Sequence, residues 1–191
     1  MTIRQIIGHA ATILGLGDVV ELIQNNRPTQ ELIANTNYSL LLRCMSLVVS
    51  KIATQFHELT AVHEFVVPTS STIQINFRDL QYPLVRIQHV ELNGFKVPFI
   101  MNIDHVRFTT GWARIGDVFR LTYVINPMIR DGTETNPFPL PHQILEYGVL
   151  SEYAFINGMF NEAKVWHEKM SELLFSTLHR TGRSIVMPIA F

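Results

Sequence analysis

The chain has 191 residues, with 15 Lys and Arg against 16 Asp and Glu, 47% hydrophobic residues, only 16% charged ones and a single cysteine. That is length enough to bury a core without disulfides, and the near-neutral balance excludes a surface that attracts nucleic acid through counterion release over its whole extent. Few charges with many apolar residues point instead to surface buried against other chains.

The first segment, MTIRQIIGHAATILGLGD, lacks the charged n-region and cleavage site of a signal peptide. Its Ile3, Ile6, Ile7, Ala10, Ala11 and Leu14 recur at spacings of three and four, which predicts an amphipathic helix stopped by Gly15 and Gly17. Asp18 is placed to cap a short second helix ending at Asn25–Pro28. Thr29 is a candidate N-cap for a long helix reaching about Gln55, with a break around Asn35–Asn37. Its stripe is Leu40, Leu41, Cys44, Leu47, Val48 and Ile52. Cys44 reads there as a small buried hydrophobe, and the greasy run Tyr38–Val49, broken by Arg43, is too short to span a bilayer.

The period then changes from 3.6 to 2. Ala61–Val67 predicts a strand closed by Pro68, and in Ser71–Phe77 the apolar Ile73, Ile75 and Phe77 alternate with polar residues. In ELNGFKV, Asn93 and Gly94 supply the two positive-φ positions of a type I′ turn, so Leu92 opposes Phe95 and Val90 opposes Val97. Upstream the apolar phase slips by one, and a β-bulge near Gln88 and His89 absorbs the slip. Phe119, Leu121, Tyr123 and Ile125 form the inward phase of another strand. A stiff loop with four prolines runs from Pro127 to Pro141. Helical period returns with Ile144, Tyr147, Gly148, Ser151, Ala154 and Phe155 on one face. After Asn157–Met159, Asn161 is placed to cap a closing helix carrying Ala163, Trp166, Met170, Leu173, Leu174 and Thr177.

This order predicts an α+β fold: a helical bundle formed by N- and C-terminal helices, an inserted antiparallel β-sheet domain, and an extended C-terminal arm. The expected parts are 1–60 (N-terminal helices), 61–126 (β domain), 127–141 (Pro-rich loop), 142–182 (helical hairpin) and 183–191 (docking tail).

Chemistry is sparse. His57, His63 and His167 each precede glutamate, but the position four residues after each is Ala61, Val67 and Ser171, so the two-histidine metalloprotease spacing is absent. His57, His63, Asp104, His105 and His142 read as scattered boundary and surface groups. Ser151, in VLSEY, lacks the glycines of a nucleophile elbow. The expectation is therefore no catalytic residue, no metal and no cofactor.

The terminal RSIVMPIAF poses an energetic question. Burying its large apolar side chains gains on the order of 8 to 12 kcal/mol, and ordering nine backbones costs about 1 to 2 kcal/mol each. The terms nearly cancel, so a preformed groove or sheet edge is needed to tip the balance. The chain's own sheet is one candidate and another polypeptide the other.

The order of parts resembles the head-to-tail connector proteins of tailed bacteriophages, of the adaptor or tail tubular protein A type. The likeness is carried by the helix entering IATQFHELTAVHEFVVP, by RDLQYPLVRIQHVELNGFKV with its Pro-flanked sequel, and by LPHQILEYGVLSEYAFINGMFNEAKVWHEKMSELLFSTL, over about Thr29–Arg183. The resemblance implies a structural virion protein in the neck between capsid and tail, assembled from the host cytoplasm. It implies a dodecameric homo-oligomeric ring beneath the portal protein, with a platform for tail or nozzle proteins. DNA passes through such a ring without specific binding, and no membrane is involved. It also implies roles for residues: Arg183, Ser184, Ile185, Val186, Met187, Pro188, Ile189, Ala190 and Phe191 as the portal-docking arm, Tyr147, Phe155, Trp166 and Met170 in helix packing between subunits, and Asn93 and Gly94 in a tail-facing hairpin. Two rival readings are a neck protein with cell-wall hydrolase activity, for which Glu58, His63 and Glu64 are the residues to test, and a tail-terminator-type ring.

Overall fold

A computed structural model describes residues 1–67, 73–108 and 114–180. The docking tail 183–191 lies outside the described residues. The fold is α+β and divides into two compact units, Met1–His57 with Ile129–Phe191, and Glu58–Met128.

The first unit is helical: α1 (Ile3–Ile13), α2 (Gly17–Gln24), α3 (Thr29–Ala34), α4 (Thr36–Gln55), α5 (His142–Ile156) and α6 (Phe160–Arg180). Helix α1 opens with a capping box, in which the Thr2 hydroxyl accepts from the Gln5 amide and the Gln5 side chain accepts from the Thr2 amide. It buries Ile3, Ile6, Ile7, Ala10 and Ala11, the stripe its spacing predicts. The expected break in the third segment falls at Asn35, whose side-chain oxygen accepts from the Tyr38 amide and starts α4. Asp18 caps nothing: α2 begins without a side-chain cap. The Asp18 carboxylate instead accepts from Asn35 Nδ2 (2.8 Å) and Asn37 Nδ2 (3.0 Å), which holds its pKa below the ordinary value.

Helix α4 buries Tyr38, Leu41, Cys44, Met45, Val48, Val49, Ile52 and Ala53, whereas Leu47, placed in the stripe by spacing, is exposed. Cys44 is the buried hydrophobe expected, and desolvation pushes its thiol up to about 12. Helix α5 packs against α1, α4 and α6, which is why it buries residues around much of its circumference. Helix α6 starts at Phe160, a residue before the expected Asn161 cap.

The Pro-rich stretch is not a plain linker. Thr2 and Thr135 form a β-bridge, the Ile3 amide donates to Glu134 O (2.8 Å), and the Arg4 amide donates to Gly132 O (2.7 Å). The buried Tyr38 hydroxyl donates to Asp131 O (2.8 Å). Residues 131–135 thus receive amides at the start of α1 that the helix itself leaves without partners.

The second unit holds two antiparallel sheets. Strands β1 (Leu59–Val66), β3 (Leu84–Leu92), β4 (Phe95–Lys96) and β7 (Val118–Ile125) are ordered β1-β7-β3-β4, and β2 (Ile73–Asn76), β5 (Phe99–Met101) and β6 (His105–Phe108) are ordered β2-β6-β5. Leu92 pairs with Phe95 across the Asn93-Gly94 turn, where φ is +49° and +85°. The register between β3 and β7 shifts at Gln88, where the bulge is expected, and again at Val85. Phe119, Leu121 and Tyr123 point into the shared core with Val90, Leu92, Val106 and Phe108. Val90, Leu92 and Val97 are buried, whereas Phe95 stands at the turn, 75% exposed.

Candidate functional site

The residues singled out by sequence fall into three places. On the helical pair α5 and α6, close packing begins at Gly148, where a Cβ would lie 2.5 Å from Val48 Cγ1 and 3.0 Å from Met170 Sδ. Met170 is buried in this contact, packed within its own chain. Ser151 is buried too, donating its hydroxyl to Ala163 O (2.9 Å) across the helix pair, which leaves it a structural role. Tyr147 and Trp166 stack on one another at 5.7 Å, and the Lys169 ammonium sits 4.4 Å from the Trp166 ring centre. Both rings remain half-buried.

Phe155 behaves differently. It is 60% exposed and meets Phe160, 63% exposed, edge to face at 5.6 Å. Ile156 and Met159 are exposed as well. Single exposed apolar side chains are ordinary, but four large ones clustered at the connection between α5 and α6 form a patch that water solvates poorly. Phe155 and Phe160 border a shallow cleft that also has Glu152, Lys164 and His167 on its walls. An apolar centre with a charged rim has the anatomy of a protein contact surface.

In the β unit, Asn93 is more than a turn former. Its amide donates to Val118 O (2.9 Å), its side-chain oxygen accepts from the Val118 amide (3.0 Å), and its Nδ2 donates to Asp117 Oδ1 (2.9 Å). These bonds fasten the hairpin to the start of β7 and present Phe95 at its tip.

The acids and histidine of the hydrolase reading are occupied. Glu58 is held by the Arg86 guanidinium and by Gln88 Nε2 (3.3 Å), and the Arg86 hydrogen bond draws its carboxyl below the ordinary value. Glu64 accepts from Arg120 Nε (2.7 Å) on the facing strand. His63 stacks on Phe65. A general acid needs a raised carboxyl pKa, as burial supplies, whereas Glu58 has the reverse. Because its folded pKa is depressed, the Glu58–Arg86 pair stabilises the fold above the ordinary carboxylate range and loses that contribution as pH falls through the lowered value. Glu58→Gln is therefore expected to cost under about 1 kcal/mol at pH 7. The difference from the parent protein should shrink progressively in denaturant titrations as pH falls below the ordinary carboxylate range.

Among the described residues, one group of histidines and carboxylates stands close enough to share a metal ion: His9, His142 and Glu146, in the helical unit. Of these, sequence reasoning singled out only His142, as one of the scattered histidines. His57, His63 and His105 do not join it. His57 is buried against Phe138, and His105 lies between Asp104 and Asn102. Among the described residues no helix is long and apolar enough to cross a membrane. No protein-family model matches the chain, and no curated protein matches it.

Proposed function

We propose that this chain is a head-to-tail connector subunit of a tailed bacteriophage, a structural protein that assembles as a ring beneath the portal, extends the DNA channel and offers the tail its platform. The observation that carries the reading is the exposed apolar turn between α5 and α6, Phe155, Ile156, Met159 and Phe160, on a chain with few charges. Such a turn is suited to a neighbouring copy of the same helices. Tyr147 and Trp166, half-buried beside it, extend the contact. The arm 183–191 docks on the portal, and the Asn93-Gly94 hairpin with Phe95 at its tip faces the tail. The occupied state of Glu58 and Glu64 supports a structural role over hydrolysis.

Mass measurement on the purified chain, alone and mixed with portal, tests the proposal. A ring that forms only with portal is expected. Replacing Phe155 and Phe160 together by aspartate should weaken ring formation by at least about 2 kcal/mol, roughly thirtyfold, while leaving the circular dichroism of the free chain unchanged. Deleting 184–191 should leave a folded protein that no longer joins filled heads; a deletion variant that unfolds would assign the arm to its own core. A tight hexamer formed without portal would overturn the reading in favour of a tail terminator.

A further inference from the structure

We propose that His9, His142 and Glu146 form a zinc site that ties α1 to α5. It is independent of ring assembly and reverses the expectation of no metal drawn from the sequence. His142 and Glu146 are one turn apart on α5, which places them on one face of a rigid element. His9 comes from α1, the helix packed against α5. One donor atom from each residue lies within 4.8 Å of the others, and the two imidazoles meet edge-on with centroids 6.2 Å apart.

Tetrahedral zinc, with ligand distances of about 2.0 to 2.2 Å, brings neighbouring donor atoms to roughly 3.3 Å. Closing the group from its present spacing is a matter of rotating His9, whose side chain is 57% exposed. Glu146 supplies a second, separate indication. Its side chain is only 12% exposed, and its polar partner among the described residues is His9 Nδ1 at 3.7 Å, beyond hydrogen-bond length. A mostly covered carboxylate beside two imidazoles is well placed to hold a cation. A zinc ion held by His9 and His142 as well would serve as that cation. Two imidazoles and one carboxylate suit zinc, with water in the fourth position.

The full chain, freed of metal with a chelator, is to be titrated calorimetrically with zinc chloride at pH 7.5. One ion per chain is expected, and free zinc at about one hundred times Kd should raise Tm by about 5 to 10 °C. His142→Ala and Glu146→Gln should each weaken zinc binding about tenfold or more, and His179→Ala should not change it. Cobalt bound to the parent chain should show the strong visible bands of tetrahedral coordination, a readout that needs no variant to fold. Absence of a zinc-dependent shift in the parent chain, or undiminished affinity in folded Glu146→Gln, would overturn the proposal.

Discussion

Phe119→Ala is expected to destabilise the β unit by about 3 to 5 kcal/mol, the range for removing a fully buried aromatic ring that its surroundings cannot replace. Phe119 is fully buried on β7, in contact with both Phe65 (centroids 5.2 Å apart, planes 8° apart) and Phe108 (4.9 Å, 24°). Phe65 and Phe108 are themselves in stacking contact, so the three rings form a triangle. Each offset pair adds about 0.5 to 1.5 kcal/mol beyond the area it hides. Strands from both sheets supply the rings, so the cavity left by alanine is walled on several sides by backbone held in ladders and collapses poorly. Phe119→Leu, which refills most of the volume, should cost less than half as much. Denaturant titration gives both values, and amide exchange over 58–128 shows where the loss falls. A cost below about 1 kcal/mol for the alanine variant would mean that the triangle is not close-packed.

Gly148→Val is the second large effect, expected at about 3 kcal/mol. The mechanism is the opposite one: overpacking. Even the first added carbon meets Val48 Cγ1 at 2.5 Å and Val48 Cγ2 at 2.9 Å. Val48 is β-branched and sits within α4, where essentially one rotamer is open to it, so it cannot turn aside. Gly148→Ala lies between two opposed terms, a gain of about 1 kcal/mol in helix propensity and the same steric conflict. The informative measurement is therefore a cycle with Val48→Ala. In that background Gly148→Ala should become neutral or stabilising, with a coupling of about 1 to 2 kcal/mol. Simple additivity would show that α5 shifts away from α4 instead.

Signals confined to a few neighbouring residues were readable without coordinates. The α1 stripe, the break at Asn35, the Asn93-Gly94 turn and the bulge at Gln88 each depend on local geometry, where period and turn chemistry leave few options. What each helix face meets is another matter. Spacing put Met170 and Phe155 on equivalent stripes, yet Met170 is buried by the gap that Gly148 leaves and Phe155 overhangs the end of the helix pair. Asp18 had the right residue type for a cap, but two asparagines seventeen and nineteen positions away compete for its carboxylate. The meeting of His9 with His142 and Glu146 leaves no trace in spacing at all, because it arises from α1 packing on α5, two segments separated by most of the chain.

The pairing of Leu59 with Ile125 has a further consequence. These residues stand at the doorway and the way out of the β unit, and antiparallel partners lie only about 5 Å apart. A detour that starts and finishes at the same spot can be lengthened, shortened or exchanged for a brief turn without pulling on the helices at either side. Evolution is thereby free to reshape whatever the detour touches while the trunk that carries it stays as it is.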